Sequence, residues 1–271
     1  MMKVPKAPFS CQRGSLTIRG FVFGEPALDK PAVIISHGFL ANQSTTRDYA
    51  VMLAREGFLA FTFDFNGGGI GSKSDGKSVD MTLLTEKADL LAVVEAVRAQ
   101  FHPASISLMG CSQGGFVSAL AAKELGAETV ERLNLFYPAL CIPDDARKGH
   151  MMFYRFDPKN VPDVLGRIPM KLGGDYARVV MDMDPFEEIR GYPGPVLLIH
   201  GTADDIVNIS YARKAKDCFA ECEYYEIIGG GHGFSGRYDE EAKSILNSFM
   251  KKRMTEMKPA QSGGTKFRNK L

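Results

Sequence analysis

The sequence predicts an α/β fold, in which helices cover both faces of a mostly parallel central sheet that carries an inserted lid. Short runs of β-branched or aromatic residues alternate with longer helical patterns, and several of the short runs are apolar throughout, as strands buried on both faces are. The 271 residues, 45% of them hydrophobic and 24% charged, can form one large core. We therefore expect a single domain over residues 1–254.

Seven strands and five helices follow from the hydrophobic pattern, because strands favour β-branched and aromatic runs and helices place apolar residues three or four apart. In the second helix Leu84, Ala88, Leu91 and Val94 have this spacing, so we expect them on its buried face. The predicted strands cover residues 17–23, 32–35, 59–63, 106–109, 133–136, 196–199 and 223–227, and the predicted helices cover residues 48–55, 82–99, 116–125, 211–219 and 240–251.

The alternation of strands and helices breaks between residues 139 and 188, where proline, aspartate, methionine and aromatic residues cluster without a sustained period. A stretch of this length inside a compact domain usually has a functional role. We therefore predict that residues 139–188 form the lid. Residues 255–271 place lysines and arginines around Ser-Gly-Gly, which predicts a flexible basic tail.

Charge and cysteine content exclude several classes of partner. The 33 lysines and arginines nearly balance the 32 acidic residues, so no long-range field would steer the chain to nucleic acid or to a membrane. Residues 1–12 contain no apolar stretch of signal-peptide length, and five cysteines, an odd number, do not suggest a disulfide framework. We expect a cytoplasmic protein whose partner is a small molecule.

A G-x-S-x-G motif, Gly110-Cys111-Ser112-Gln113-Gly114, lies between a predicted strand and a predicted helix. This context is that of a nucleophile elbow, a strained turn that lifts a serine hydroxyl out of the sheet edge. Side chains at Gly110 and Gly114 would collide with the neighbouring strand and helix. We therefore interpret Ser112 as a candidate nucleophile.

A serine nucleophile needs a base, and the base needs an orienting acceptor. Downstream of Ser112, one predicted strand leads into His200-Gly201-Thr202-Ala203-Asp204 and the next into Gly229-Gly230-Gly231-His232-Gly233. The order serine, acid, histidine is typical of α/β hydrolases. We predict His232 as general base and Asp204 as the acid that orients it, with the adjacent Asp205 as the alternative acid.

Other histidines have a structural interpretation. His37 and His200 each precede a glycine at a strand end, where an imidazole more often bonds to loop backbone than takes part in catalysis.

Acyl transfer also requires backbone N–H donors for the oxyanion. One donor is expected at Gln113. The second should come from the loop after an early strand, and the sequence Ser36-His37-Gly38-Phe39-Leu40 makes the Phe39 N–H the candidate.

A second motif points to a different class of protein. Residues 71–78, Gly-Ser-Lys-Ser-Asp-Gly-Lys-Ser, satisfy the phosphate-binding pattern G-x-x-x-x-G-K-[ST]. However, residues 66–70 separate the motif from its strand, Asp75 would put a carboxylate in the phosphate cradle, and residues 79–81 delay the helix. We expect an ordinary loop, with a nucleotide-binding site as the rival interpretation.

Together these residues resemble bacterial cinnamoyl and feruloyl esterases of the α/β-hydrolase superfamily, over roughly residues 14–249. The resemblance implies a serine esterase that hydrolyses hydroxycinnamate esters through an acyl-enzyme, with no metal or organic cofactor. The matching segments are His37-Gly38-Phe39 with Ala41-Asn42, Phe63-Asp64-Phe65-Asn66-Gly67, Asp75-Gly76-Lys77, Met81-Thr82, Ser112-Gln113-Gly114-Gly115, Leu172-Gly173-Gly174 and His200-Gly201-Thr202.

In those esterases an insert covers the acyl pocket, and by position that insert is residues 139–188 here. The resemblance points first to Asp145, and then to Asp144 and Tyr176, for a hydrogen bond to a ring hydroxyl; a solvated surface acid is the alternative for Asp145. One difference is that Cys111 precedes the nucleophile where the family often has histidine. The same catalytic residues also serve thioesterases, acyltransferases and small peptidases.

Overall fold

The computed structural model describes residues 3–27 and 29–256, with side chains as far as residue 252. The strands are β1 (Lys6–Arg13), β2 (Leu16–Phe23), β3 (Ala32–Ser36), β4 (Leu59–Phe63), β5 (Ile106–Cys111), β6 (Arg132–Phe136), β7 (His150–Met151), β8 (Tyr154–Arg155), β9 (Val164–Gly166), β10 (Leu172–Gly173), β11 (Val196–Gly201) and β12 (Cys222–Ile227). The α-helices are α1 (Arg47–Arg55), α2 (Leu83–Phe101), α3 (Gln113–Leu125), α4 (Ile142–Arg147), α5 (Asp175–Arg178), α6 (Pro185–Ile189), α7 (Ser210–Ala215) and α8 (Arg237–Glu256).

Eight strands form the central sheet in the order β1-β2-β4-β3-β5-β6-β11-β12. The pairs from β4 to β12 are parallel, whereas β1 with β2 and β2 with β4 are antiparallel. Every residue of β3, β4, β5, β6 and β11 is buried, which explains why most of these strands are largely apolar runs rather than alternating patterns. The exception is β6, which buries Arg132 and Asn134. The predicted α/β class is confirmed.

Helices cover the two faces of the sheet. On one face, α1 and α8 supply Leu53, Leu246 and Phe249 to a cluster that packs on the sheet. On the other face, α2 and α3 supply residues such as Val93 and Phe116. Because both faces are covered, the loops at the carboxyl ends of the parallel strands are where a site can open.

The seven predicted strands all form, and each end lies within two residues of its expected position. Strand β1 was not predicted, because as an edge strand it buries only Phe9 and Cys11 and so shows no apolar run. The helix predicted over residues 211–219 is shorter than expected, since α7 ends at Ala215 and a single 3₁₀ turn follows over Lys216–Cys218.

The buried face of α2 differs from the predicted one. Leu84 is exposed, whereas Val94 is buried as expected. The buried stripe instead includes Glu86 and Asp89 among its leucines and valines. A prediction that counts only apolar residues misses this buried face, because two of its residues carry carboxyl groups. One of them, Glu86, contacts the candidate site.

Residues 139–188 connect β6 to β11 through three short helices and two small two-stranded sheets, β7 with β8 and β9 with β10. Residues 255–256 of the predicted tail belong to α8, and the rest of the tail lies outside the described residues. Among the helices of the described residues, none combines the length and apolar character needed to cross a membrane.

The phosphate-loop-like stretch is an irregular loop that is attached to β2. The Asp75 carboxylate accepts hydrogen bonds from the Thr17 N–H at 2.8 Å and from the Arg19 guanidinium at 2.7 Å. Helix α2 begins at Leu83, so its N-terminus does not directly follow residues 71–78, as the N-terminus of a phosphate-binding helix would. Asp75, whose carboxylate does not fit a phosphate-binding loop, thus attaches this loop to the sheet.

This attachment predicts a pH-dependent contribution to stability. Hydrogen bonds from Arg19 and Thr17 lower the pKa of Asp75 to about 2, against about 3.9 in an unfolded chain. The stabilisation is complete above about pH 4 and is lost as the pH falls through the folded-state pKa. We expect Asp75→Asn to lower the urea midpoint at pH 7 and the gap to wild type to narrow between about pH 4 and 2.

Asp29→Asn, at an exposed turn position, controls for the loss of one negative charge. A gap between wild type and Asp75→Asn that stays constant down to pH 2 would contradict the assignment.

Candidate active site

Ser112 lies at a sharp turn between β5 and α3, with a φ of 54° that L-residues rarely adopt. Its N–H donates to the Phe136 carbonyl at 2.9 Å. A Cβ at Gly110 would lie 2.1 Å from the Gly114 carbonyl oxygen, and a Cβ at Gly114 would lie 2.4 Å from the His37 carbonyl oxygen. Both glycines are therefore required by close backbone approaches around the serine.

Three side chains from different loops form one hydrogen-bonded chain. The Ser112 Oγ lies 2.9 Å from Nε2 of His232, and Nδ1 of His232 lies 2.8 Å from Oδ2 of Asp204. Ser112 follows β5, Asp204 follows β11 and His232 follows β12, so the carboxyl edge of the sheet brings them together. Asp205, the alternative acid, is exposed, and its neighbour Asp204 is the residue that accepts the hydrogen bond from the imidazole.

Asp204 is held as a carboxylate by its surroundings. Burial alone would raise the pKa of this carboxyl, but hydrogen bonds from His200, His232 and the Val207 N–H outweigh burial and hold its pKa well below the ordinary value. The Ile206 and Val207 N–H groups donate to Oδ1 at 2.9 and 2.8 Å. An ionised acceptor therefore faces His232 and favours the tautomer with the proton on Nδ1.

Two further residues position these groups. His200 is fully buried, and its Nε2 lies 2.9 Å from the Val207 carbonyl, as expected for a backbone contact, and also 3.2 Å from Oδ2 of Asp204. The Tyr137 ring packs edge-on against the imidazole of His232, with centroids 4.8 Å apart. Sequence reasoning predicted only the backbone contact of His200, and nothing in the sequence indicated its contact with Asp204 or the contact of Tyr137 with His232.

The backbone beside Ser112 comes from the loop after β3, the strand next to β5 in the sheet. A Cβ at Gly38 would lie 3.1 Å from Cβ of Ser112, so the segment that carries Phe39 passes directly against the serine. Gln113 is the first residue of α3, where a backbone N–H has no acceptor within the helix. The Phe39 and Gln113 N–H groups therefore come from the two segments that flank Ser112.

Two cavities of different character meet at Ser112 and His232, with Phe39 lining both. One has a volume of about 120 Å³ and is mostly apolar. Its other lining residues include Ala139, Cys141, Ile142, Asp145, Met151, Met152, Leu172 and Tyr176 from the 139–188 segment. The second has a volume of about 380 Å³ and is more polar; Thr45, Thr46, Asp48, Tyr49, Tyr137 and Asp239 contribute to its walls.

The three substrate contacts expected from the resemblance fall in different places. Asp145 and Tyr176 line the smaller cavity. Asp144 does not reach it, since its carboxylate accepts hydrogen bonds from Tyr211 and Arg147, both at 2.5 Å. Asp145 is half-buried, and that burial raises the pKa of its carboxyl.

A buried polar chain behind the smaller cavity was not predicted. The Tyr176 hydroxyl donates to Oε1 of Gln113, and Nε2 of Gln113 donates to Oε2 of Glu86 at 2.6 Å. All three side chains are almost fully buried. The sequence had pointed to Gln113 only for its backbone N–H. Nothing in the sequence distinguishes Glu86 from a surface acid except its place among apolar residues in the first turn of a helix.

The elbow, the hydrogen-bonded serine, histidine and aspartate, and the sheet topology together define an α/β hydrolase. Residues 28–171 match the profile of Hydrolase_4, described as serine aminopeptidase, S33, and the chain belongs to this family.

Similarity to individual proteins extends this assignment. Over 91% of this chain and 99% of the other, the fold matches the structure of ferulic acid bound to Est1E from Butyrivibrio proteoclasticus, with a TM-score of 0.82 and 27% identity. The Pyrococcus furiosus esterase Pf2001 matches over 92% of this chain and 93% of its own, with a TM-score of 0.70 and 19% identity, and supports the fold alone. The chain is thus an α/β hydrolase related to esterases.

A curated relative, esterase LipC of Mycobacterium tuberculosis, is 28% identical over 141 residues, which make up 48% of this chain. The match spans only 34% of that protein's length.

The close approach at Gly114 predicts a stability defect. An alanine would gain helix propensity, yet its Cβ would overlap the carbonyl oxygens of His37 and Ser36, at 2.4 and 2.6 Å. We expect Gly114→Ala to lower the free energy of unfolding by roughly 1–3 kcal/mol, as overpacking does, in urea titrations. Gly231→Ala is the matched control, since its Cβ would meet no atom closer than 3.9 Å. Equal stability of the two variants would contradict the steric argument.

Proposed function

We propose that the chain is a serine carboxylic-ester hydrolase that acts on hydroxycinnamate esters, such as feruloyl esters, through an acyl-enzyme. The observation that carries the proposal is the chain of hydrogen bonds from Ser112 through His232 to Asp204, at the junction of two cavities. An ester has two parts, and each cavity offers room for one.

In the first step Oγ of Ser112 attacks the ester carbonyl carbon while Nε2 of His232 accepts the hydroxyl proton. Asp204 stabilises the imidazolium that forms without taking its proton. The carbonyl oxygen gains negative charge and accepts hydrogen bonds from the Phe39 and Gln113 N–H groups. The tetrahedral intermediate then collapses, and His232 returns the proton to the departing alcohol.

In the second step a water molecule takes the alcohol's place. His232 removes a proton from it, the resulting hydroxide attacks the acyl carbon, and the free acid leaves as Ser112 regains its proton. Apart from the ester and this water, both steps use only side chains and backbone groups of the chain.

The smaller cavity supports an aromatic acyl group. It is lined by the Phe39 and Tyr176 rings, whose centroids lie 5.7 Å apart, together with Met151, Met152 and Leu172. Flat apolar walls of this kind suit a phenylpropenoyl group. Asp145 lies among them as the polar group that could bond to a ring hydroxyl, and a relative of the same fold binds ferulic acid.

We further propose that residues 139–188 act as a lid over this cavity, since eight of its lining residues come from that segment.

A peptidase that removes amino-terminal residues is the second candidate, favoured by the description of the family. Asp145 is the carboxyl group on the acyl side of Ser112 and could pair with a substrate ammonium group. Thioesterase and acyltransferase activity would use the same three residues with a different leaving group or acceptor.

The nucleophile assignment predicts that Ser112→Ala abolishes hydrolysis of methyl ferulate, because no other group would attack the carbonyl. In serine hydrolases, removal of the nucleophile lowers kcat by several orders of magnitude. Ser10→Ala, at an exposed position of the edge strand β1, is the control and should retain the activity. Full activity of Ser112→Ala would refute the assignment. If the wild type and the control hydrolyse a nitrophenyl acetate but not methyl ferulate, only the aromatic acyl group is refuted.

Asp145 and Asp144 form a matched pair for testing the acyl pocket, because they are adjacent on α4 but only Asp145 lines the cavity. We expect Asp145→Ala to lower the ratio of kcat/KM for methyl ferulate to kcat/KM for methyl cinnamate by about 3- to 10-fold, the effect of one hydrogen bond. Asp144→Ala should leave that ratio unchanged. If Asp145→Ala instead impairs hydrolysis of amino-acyl anilides and spares ferulate, the peptidase candidate is favoured.

A further inference from the structure

Glu86 is a buried carboxyl group that the proposed reaction does not use. It lies in the first turn of α2, with about 1% of its surface exposed. Burial, with a smaller contribution from Asp89, raises the pKa of this group well above its usual value. A carboxyl group in such a place is costly unless it has a specific partner, and its partner is Nε2 of Gln113 at 2.6 Å.

That partner fixes the direction of an amide. The Gln113 side chain has a donor end and an acceptor end, and the acceptor at Glu86 draws the NH₂ group toward α2. The oxygen of the amide must then face the 139–188 segment, where it accepts the Tyr176 hydroxyl proton. A hydroxyl that donates its one proton to Gln113 keeps only lone pairs for other contacts.

We propose that Glu86 is a positioning residue that sets acyl-group specificity: through Gln113 it makes the Tyr176 oxygen a hydrogen-bond acceptor toward the smaller cavity. A ring hydroxyl of the acyl group can then donate a hydrogen bond to the Tyr176 oxygen. A methoxy group in its place can only accept, and the Tyr176 hydroxyl has no proton left to donate to it. This inference rests on the proposed function, because it assigns the smaller cavity to the acyl group.

The surroundings of Glu86 favour this role over simple packing. Its Oε1 is close to Gly68, where a Cβ would come within 2.8 Å of that oxygen, so a side chain at position 68 would displace the carboxyl. The Tyr176 ring is held against Phe39, a residue of both cavities. The hydrogen-bonded chain from Glu86 in α2 through Gln113 to Tyr176 in α5 therefore joins three segments behind this cavity.

Binding of free acids to a Ser112→Ala background tests the inference without requiring turnover. Titration calorimetry compares ferulic acid with 3,4-dimethoxycinnamic acid, which differs by one methyl group on the ring oxygen. In the parent we expect ferulic acid to bind about 3- to 10-fold more tightly. Glu86→Gln keeps an acceptor for Gln113 and should preserve that ratio. Glu86→Met, of similar length, should lower this ratio, while the Asp145 carboxyl, a second polar group of the cavity, keeps it above one.

Tyr176→Phe supplies a second, independent variant and should lower the ratio by the same factor as Glu86→Met. Combining it with Glu86→Met should cause no further change in the ratio, because both act through one chain. An unchanged ratio in Glu86→Met or in Tyr176→Phe, or the same loss in Glu86→Gln as in Glu86→Met, would overturn the inference, as would a parent that binds neither acid.

Hydrolysis of methyl ferulate by the chain with Ser112 intact is the separate measure of the proposed function. Failure of hydrolysis with the binding pattern intact would refute the reaction but not the role of Glu86.

Discussion

The close approach of the turn after β5 to the loop after β3 is the constraint on which the site depends. Ser112 occupies a backbone conformation that disfavours side chains, and it can do so because Gly114 lets α3 begin against the His37 carbonyl. Strain of this kind, of order 1–3 kcal/mol, persists only where the surroundings over-determine it. Here a parallel strand on each side of β5 supplies those surroundings.

The parallel order of the strands also explains how the charge of Asp204 comes to lie beside His232. Parallel strands end at one edge, so the loops that carry Asp204 and His232 open beside the serine without long connections. Asp204 receives more hydrogen bonds than a single imidazole could give, which keeps it ionised despite its burial. The charge is therefore fixed before any substrate arrives, and the imidazole needs no reorganisation to serve as a base.

Much of this could be predicted from the sequence, because the determinants are local. The elbow glycines, the chain order of Ser112, Asp204 and His232, and the apolar parallel strands each leave a short-range pattern. The buried face of α2 could not be predicted, because Glu86 and Asp89 are buried only through partners that lie far along the chain. Asp145 was placed before Asp144 by the family resemblance alone, because the contact that holds Asp144 outside the cavity comes from Tyr211, which lies far along the chain.

The central claim is that the Ser112 hydroxyl is the nucleophile that His232 activates. The most direct test is labelling with a nitrophenyl phosphonate, in which the serine oxygen bonds to phosphorus and nitrophenolate leaves, followed by peptide mass mapping. We expect one stoichiometric adduct on Ser112 and far slower labelling of His232→Ala. An adduct on any other residue, or labelling of the His232→Ala variant at the wild-type rate, would contradict it.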